Sequence, residues 1–555
     1  MNDLPTHLSL THLTLTHQAI ATLLTVLYTV GFAMVGVFSL RAAVHIVLWL
    51  RTRGRAPVVP ADDPAAMTTP AASVPFVTVQ LPVYNERYVA SRLIDAACGL
   101  EWPRDRFEVQ VVDDSTDETR AIIDEAARRW QARGVSVHVV RRADRAGYKG
   151  GALGAAMRVA KGDALAVFDA DFRPPADWLT RVMPYLTGDV AAVQTRWGHL
   201  NRDQNMLTRV QALSLDGYFA IEQTARSRSG LALHFNGSAG VWRRAAIDAA
   251  GGWSGATLCE DVDLSYRAQL AGWRIVMLPE FEAPAELPAT VRAFKRQQHR
   301  WAKGTVQCAR RLIGPIWRSD WPLAKRVHAI ASLSTYFVQP MLVLLFLGAP
   351  LLAVWQPRFH PLLLAFSVLA LTMPVLVGLG QYALTPEPRT WMGRLVWYPC
   401  LSVVAAGMTL NGALAVMEAL GGASGEFERT PKAGEGGADD PASPIASRAA
   451  SRLASSQGAS DVPSAGGDRV PIDGQSLAEA LLAAYAWCGI ALSVDRHAWG
   501  SVVFMATFAL GYSYVAGWSI VEGVVMAGGQ RGRWRRGRRG QRQGQRRGRV
   551  GGAVS

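Results

Sequence analysis

Hydrophobic positions fall into two regimes along this chain. Between residues 74 and about 311, apolar runs of strand length at 76–83, 107–112, 135–140 and 165–168 alternate with stretches of helical spacing such as 90–99 and 118–133. Alternation of this kind predicts an α/β domain with a mostly parallel sheet and helices on both of its faces. Outside that region the apolar residues gather in long blocks. The first, about 19–40, carries no charge and is long enough to span a bilayer. It is too long for a signal-peptide core, and no small-residue cleavage site follows it. Five more blocks lie at roughly 328–355, 361–384, 395–420, 477–494 and 499–521. The predicted organisation is therefore an N-terminal transmembrane segment (1–50), a linker rich in Pro, Ala and Thr (51–73), a cytosolic α/β domain (74–285), amphipathic interface helices (286–325), transmembrane or interfacial helices (328–420), a cytosolic loop (421–474), two transmembrane helices (477–521) and an Arg/Gly-rich cytosolic tail (530–555).

Charge sets the orientation. Arg51, Arg53 and Arg55 follow the first block, which places the α/β domain in the cytoplasm and makes the chain a multi-pass protein of the cell (inner) membrane. Counting spans, the arginine-rich C-terminal tail is cytoplasmic only if 421–474 is too. Segment 395–420 is thus expected to be an interfacial helix or a bent re-entrant pair, with Gly407, Asn411 and Gly412 as break points. Residues 292–311 read as a basic helix with Phe294, Trp301 and Val306 interleaved, suited to a membrane surface. The stretch 421–474, rich in Ala, Ser, Gly and Pro, reads as a mostly disordered loop.

Composition agrees with a membrane protein: of 555 residues 50% are hydrophobic and only 18% charged. The formal net charge of +14 suggests a nucleic-acid binder until it is located, for ten arginines lie between Arg531 and Arg549, leaving +4 for everything else. Positive-inside anchoring and contact with anionic membrane lipids account for that tail, and no specific nucleic acid is expected as a partner. The five cysteines have neither metal-ligand spacing nor the pattern of a disulfide framework.

Chemistry concentrates at the ends of the strand-like runs. The run from Ala164 ends in Asp169 and Asp171; residues i and i+2 of a strand point to one side, so a strand end can aim both carboxylates at one point. Hard divalent cations, Mg²⁺ or Mn²⁺, take carboxylate and phosphate oxygens, so a metal-bridged diphosphate is the expected occupant. Gln80-Leu-Pro-Val-Tyr-Asn-Glu86 closes the first run, Asp113-Asp-Ser-Thr-Asp117 the second, and Gly147-Tyr-Lys-Gly-Gly151 follows the third. Lys149 is placed to reach a phosphate, and the Gly150–Gly151 pair lets backbone approach closely. Phe235-Asn-Gly-Ser-Ala-Gly240, Cys259-Glu-Asp261 and Gln297-Gln-His-Arg-Trp301 come later.

In this order the motifs resemble the family-2 inverting glycosyltransferases, specifically the processive membrane branch that includes cellulose, mannan and hyaluronan synthases. The likeness is greatest to plant cellulose-synthase-like glucomannan synthases and their bacterial relatives, dense over 74–301 and looser to about 432. It implies a GT-A type cytosolic domain joined to a multi-pass α-helical membrane region. It also implies a nucleotide-diphospho-sugar donor, GDP-mannose or UDP-glucose, and a polysaccharide acceptor. Asp169 and Asp171 resemble the family's metal and nucleotide ligands, Asp114 its base- and ribose-binding aspartate, and Tyr84 and Glu86 its nucleoside pocket. Inversion by an acceptor hydroxyl needs one general base, and Asp261 matches the family's catalytic aspartate in Thr-Glu-Asp, with Cys259 in place of the threonine and Glu260 toward the acceptor. Gln297, Arg300 and Trp301 match the Gln-x-x-Arg-Trp signature: Arg300 suits the diphosphate, and Trp301 resembles the platform for the terminal acceptor sugar. His299 is expected to be a packing or surface residue. Phe427-Glu-Arg-Thr-Pro-Lys432 resembles the Phe-x-Val-Thr-x-Lys gating loop, with Arg429 for the valine, which implies that Thr430 and Lys432 touch the diphosphate. A non-processive glycosyltransferase acting on a glycolipid acceptor is the alternative within the superfamily, and a membrane-tethered nucleic-acid binder the remote one.

Overall fold

The computed structural model describes residues 5–54, 74–355, 368–369, 371–422 and 473–550, with side chains from 17 to 525. Helix α1 (Pro5–Thr52) precedes a seven-stranded sheet built from β1 (Val77–Val83), β2 (Phe107–Asp113), β3 (Val137–Val140), β4 (Ala164–Val167), β5 (Val190–His199), β6 (Gly240–Arg243) and β7 (Arg274–Ala285). The strand order is β3-β2-β1-β4-β6-β5-β7. Strands β1 to β4 are parallel, β6 runs antiparallel to both β4 and β5, and β7 is parallel to β5. The sheet is the mixed, mostly parallel one the sequence predicts. The crossovers are α2 (Ala90–Cys98), α3 (Thr119–Gln131) and α4 (Tyr148–Met157), two of them within about two residues of the helices expected from spacing alone.

Period-two alternation buries both faces. In β4, Ala164 and Ala166 pack with Val79, Leu93 and Ile123 on one side, whereas Leu165 and Val167 pack with Leu153, Trp242 and Leu264 on the other. A strand covered on both faces reads as an unbroken apolar run, which is why these strands are visible in the sequence. The order of construction reverses between β1 and β4, since β2 lies beyond one and β6 beyond the other. In open α/β sheets the crevice at such a reversal, beyond the strands' carboxyl ends, is where ligands bind.

Helix α5 (Met206–Gly217) lies between β5 and β6 and α6 (Glu260–Leu270) between β6 and β7, and after the sheet come α7 (Val291–Arg318), α8 (Val338–Trp355), α9 (Thr372–Leu384), α10 (Pro388–Leu395), α11 (Tyr398–Gly407), α12 (Thr409–Leu420), α13 (Gly474–Asp495) and α14 (Trp499–Val550). Among the described residues four helical stretches, His17–Thr52, Thr335–Trp355, Gly474–Asp495 and Trp499–Val525, are long and apolar enough to cross a membrane. Pro388–Gly407 and Thr409–Leu420 form a pair bent by 41°, as expected for 395–420. The cause lies at Gly407, where an added Cβ would strike the Gly511 carbonyl of α14: two glycine backbones touch, and the helix turns at the contact.

Helix α7 divides its basic residues: Arg296, Arg310 and Arg311 are exposed, whereas two lysines turn inward. Lys295 is buried against Glu479 of α13 at 2.8 Å, and Lys303 pairs with Glu418 of α12 at 2.9 Å. Glu522 of α14 accepts the Val291 and Arg292 backbone N–H groups at 2.8 and 2.9 Å, capping the helix at its positive end. A buried lysine needs a carboxylate, and the apolar helices supply it.

Candidate active site

The carboxyl ends of β1 and β2 carry one half of the site. Glu86 closes the turn after β1, its carbonyl accepting the amides of Val89 and Ala90 at 3.1 and 2.9 Å. Tyr84, in the same turn, lies under the Arg145 guanidinium, 3.3 Å from the ring centroid. Asp113 and Asp114 divide their duties. Asp113 is buried, accepting from Arg141 Nε at 2.7 Å and from the Ser115 amide at 2.9 Å, so it braces the turn. Asp114 reaches the edge, where Arg142 grips it in two-pronged fashion at 2.8 and 2.6 Å. Arg142 also donates to the carbonyls of Ala146 and Tyr148, tying the loop before α4 to the end of β2.

That loop delivers Lys149. Its ammonium lies 2.6 Å from Asp169 Oδ1 and 3.7 Å from Glu260 Oε1, and donates to the Gly237 carbonyl at 2.9 Å. Two glycines permit the approach. A Cβ on Gly150 would sit 2.7 Å from the Ser254 carbonyl oxygen and 3.0 Å from Glu260 Cβ. Gly237, at φ 78°, turns its backbone against Asp261, where a Cβ would fall 2.9 Å from Oδ2. Burial, with the Glu260 charge adding to it and Lys149 opposing, pushes the Asp261 carboxyl up to about 7. Glu260 is raised as well, by burial against the pull of Lys149. Burial disfavours the Lys149 ammonium, yet Asp169 and Glu260 outweigh it and raise its pKa. One ammonium thus serves several carboxylates, and the cluster has negative charge to spare.

The other half comes from helices. Gln297, Arg300 and Trp301 stand at i, i+3 and i+4 on α7, one face of the helix. The Trp301 ring centroid is 6.3 Å from that of Trp197, itself wedged between Phe172 and Phe219 at 5.5 and 5.4 Å. A Cβ on Gly304 would lie 2.5 Å from Cys259 Sγ, so α7 packs directly on the residue preceding α6. The Cys259 thiol makes a long contact of 3.9 Å to the Trp301 carbonyl. This packing sets the Trp301 backbone beside Cys259, the residue before the Glu260–Asp261 pair, and the Arg300 charge is felt at Glu260, more weakly than burial, Lys149 and Asp169.

Residues 75–304 match the family described as "Glycosyltransferase like family 2". The chain is 42% identical over 285 residues to glucomannan 4-beta-mannosyltransferase 1 of Oryza sativa subsp. japonica, covering 50% of this chain and 54% of that one. It is 43% identical over 276 residues to glucomannan 4-beta-mannosyltransferase 9 of Arabidopsis thaliana, covering 48% and 51%. The chain spans about half the length of the curated relatives it matches. Among solved structures, a mannosyltransferase from Pyrobaculum calidifontis in complex with GDP-Man and Mn²⁺ aligns over 72% of this chain and 99% of its own, at 22% identity and a TM-score of 0.46.

Within residues 75–304, the residues singled out from sequence sort into three groups. Lys149, Asp169, Glu260 and Asp261 meet in one cluster, while Tyr84, Glu86 and Asp114 flank it at the ends of β1 and β2, and Gln297, Arg300 and Trp301 border it from α7. Asp171 follows Asp169, but the geometry differs from the expected one. Strand β4 ends at Val167, so both aspartates lie in a turn closed by the Phe172 amide on the Asp169 carbonyl at 3.0 Å, and Asp169 is the one against Lys149. Thr430 and Lys432 lie outside the described residues. His299 bonds to Glu418 at 3.1 Å, a packing role as expected. Sequence reasoning passed over Arg142, Arg145 and Ser238, whose hydroxyl accepts the Asp169 amide at 2.9 Å. The arginines had a signal, a basic run just before the Gly-Tyr-Lys-Gly-Gly motif. Ser238 sat inside a motif already noted, without a role.

Proposed function

We propose that this chain is a membrane-embedded inverting glycosyltransferase that adds hexose, with mannose from GDP-mannose as the first candidate and glucose from UDP-glucose as the second, to a growing β-linked polysaccharide on the cytoplasmic side of the cell membrane. The observation that carries the reading is the convergence of Lys149, Asp169, Glu260 and Asp261, from three separate segments, at the switch point of the sheet. The roughly 42% identity to glucomannan 4-beta-mannosyltransferases supports the choice of mannose and of a β-1,4 linkage.

The nucleoside lies over Tyr84, Glu86 and Asp114, with Arg145 as the tyrosine's present partner. Lys149 and Arg300 hold the diphosphate, joined by Thr430 and Lys432. Among the described residues no three His, Cys, Asp or Glu side chains converge as a metal-binding group. The Asp169–Asp171 pair nonetheless has the hard oxygen donors and surplus negative charge that suit Mg²⁺ or Mn²⁺ completed by phosphate oxygens and water. Such a cation supplies charge neutralisation to the departing diphosphate. Asp261 takes the proton of the attacking hydroxyl, and Trp301 supports the acceptor sugar with Glu260 beside it.

The test uses inverted membrane vesicles supplied with divalent cation and labelled GDP-mannose or UDP-glucose. The expected product is insoluble and released by β-mannanase. Release by β-1,4-glucanase instead would reassign the sugar. Label confined to the lipid extract would replace the polymer with a glycolipid product.

A further inference from the structure

A cavity of about 310 Å³ opens where α5 meets α10, and it shares no residue with the Lys149–Asp261 cluster. Three guanidiniums enter it from three elements: Arg202 from the loop after β5, Arg209 from α5 and Arg394 from α10. Two are matched by acids. Arg202 pairs with the buried Asp216 at 2.6 Å. Arg209 pairs at 3.2 Å with Asp203, whose side chain is 78% exposed, and lies 4.9 Å over the Trp397 ring. Arg394 is different. It donates to Thr385 Oγ1 at 2.9 Å and more weakly to Gln381 Oε1 at 3.4 Å, and among the described residues no carboxylate pairs with it. A half-buried guanidinium held only by neutral acceptors retains its full charge and most of its donors. The cavity walls therefore carry one uncompensated positive charge and a fork geometry that matches phosphate oxygens.

Position narrows the ligand. Helix α10 lies between two apolar segments and exposes Met392, as the next residue exposes Val396, 56% and 73% accessible, next to Trp397 at the cavity wall. Exposed apolar side chains with an adjoining tryptophan and arginines are the dress of a helix at the membrane–water boundary. We infer that this cavity binds a phosphate-bearing anion, held by Arg394 with Arg209 and Arg202, at the level of the lipid headgroups. Inorganic phosphate and phospholipid headgroups offer the same oxygens, and only the setting separates them.

The full-length chain tests this in nanodiscs of phosphatidylcholine with or without phosphatidylglycerol, and in detergent with inorganic phosphate or glycerol 3-phosphate against sodium chloride of equal ionic strength. Retained lipid is counted by native mass spectrometry, and unfolding is followed by temperature. Arg394→Gln removes the unmatched charge. Gly393→Asp adds a carboxylate at the cavity wall without removing any contact, since a Cβ on Gly393 meets nothing within 4 Å, and Gly393→Ser is its neutral control. The arginine tail is the same in every variant, so its lipid binding cancels. The expected result is a raised unfolding midpoint with the anion for wild type and Gly393→Ser, and about tenfold weaker binding in Arg394→Gln and Gly393→Asp, the size of one lost charge-assisted hydrogen bond. A response to phosphatidylglycerol alone names the lipid; a response to the soluble phosphates as well names the phosphate group itself. Equal responses from wild type and both charge variants, or no response from wild type to any of these anions, would overturn the assignment.

Discussion

On the proposed donor side, Asp114, Lys149 and Asp169 each stand within a few residues of a strand end or of the first turn of the helix after it, and the sheet's hydrogen bonds fix where those ends lie. On the proposed acceptor side, Trp301 rides on α7, whose place is set by Lys295 on Glu479, Lys303 on Glu418 and Glu522 on the first amides, partners more than a hundred residues away. The first half is rigid because parallel strands buried on both faces have little freedom. The second is held by one buried charge pair, Lys295–Glu479, whose loss leaves an unpaired charge in an apolar setting, by a half-exposed pair at Glu418 and by the Glu522 cap. Damage to the first should remove chemistry; damage to the second should shift a helix.

The sharpest break is at the chemistry itself. Asp261→Asn should lower sugar transfer by about 10²- to 10⁴-fold with nucleotide affinity near wild type, the ordinary scale of a lost general base. Labelled-sugar turnover beside calorimetric nucleotide binding would decide it, and near-normal turnover would remove Asp261 as the base. Next in size is the anchor of α7. Lys295→Met strands Glu479 and should cost about 3–5 kcal/mol of stability, most of it recovered in Lys295→Met/Glu479→Leu. Thermal unfolding in detergent measures this, and an undisturbed single variant would mean the pair does not hold the helix.

A subtler change acts at the seam between the two halves. Gly304→Ala puts a methyl 2.5 Å from Cys259 Sγ and 2.8 Å from its backbone nitrogen. The two chains must part, at about 1–3 kcal/mol for overpacking, and transfer should fall more than nucleotide binding. Smallest is Trp301→Ala, expected to slow elongation by a few-fold to about tenfold on the usual scale of an aromatic contact. Product-length analysis at saturating donor would show it; equal loss of nucleotide binding would make the tryptophan structural.

The first four strands were legible because each is an apolar run bounded by motif residues. The last three were not. Strand β6 is four residues long and antiparallel, and β7 carries Pro279, Glu280, Glu282 and Pro284 with register irregularities against β5. Such a strand lacks the continuous apolar signature, and its pairing is fixed by neighbours distant in sequence. The acid pair was legible as chemistry but not as geometry. That β4 stops at Val167 and leaves Asp169 and Asp171 in a turn depends on where Ser238 and Gly237 arrive from the other side.

From sequence alone come the α/β domain between apolar blocks and the identity of most groups in the cluster. These depend on periodicity and on motifs that span only a few residues, and local sterics and burial decide them. Tertiary structure decided which carboxylate meets Lys149, which acids receive the lysines of α7, and that Arg394 lines its cavity with no carboxylate paired to it among the described residues. Each of these is a contact across a large sequence separation. Its partner is chosen by how the sheet and helices pack, and no local pattern encodes that choice.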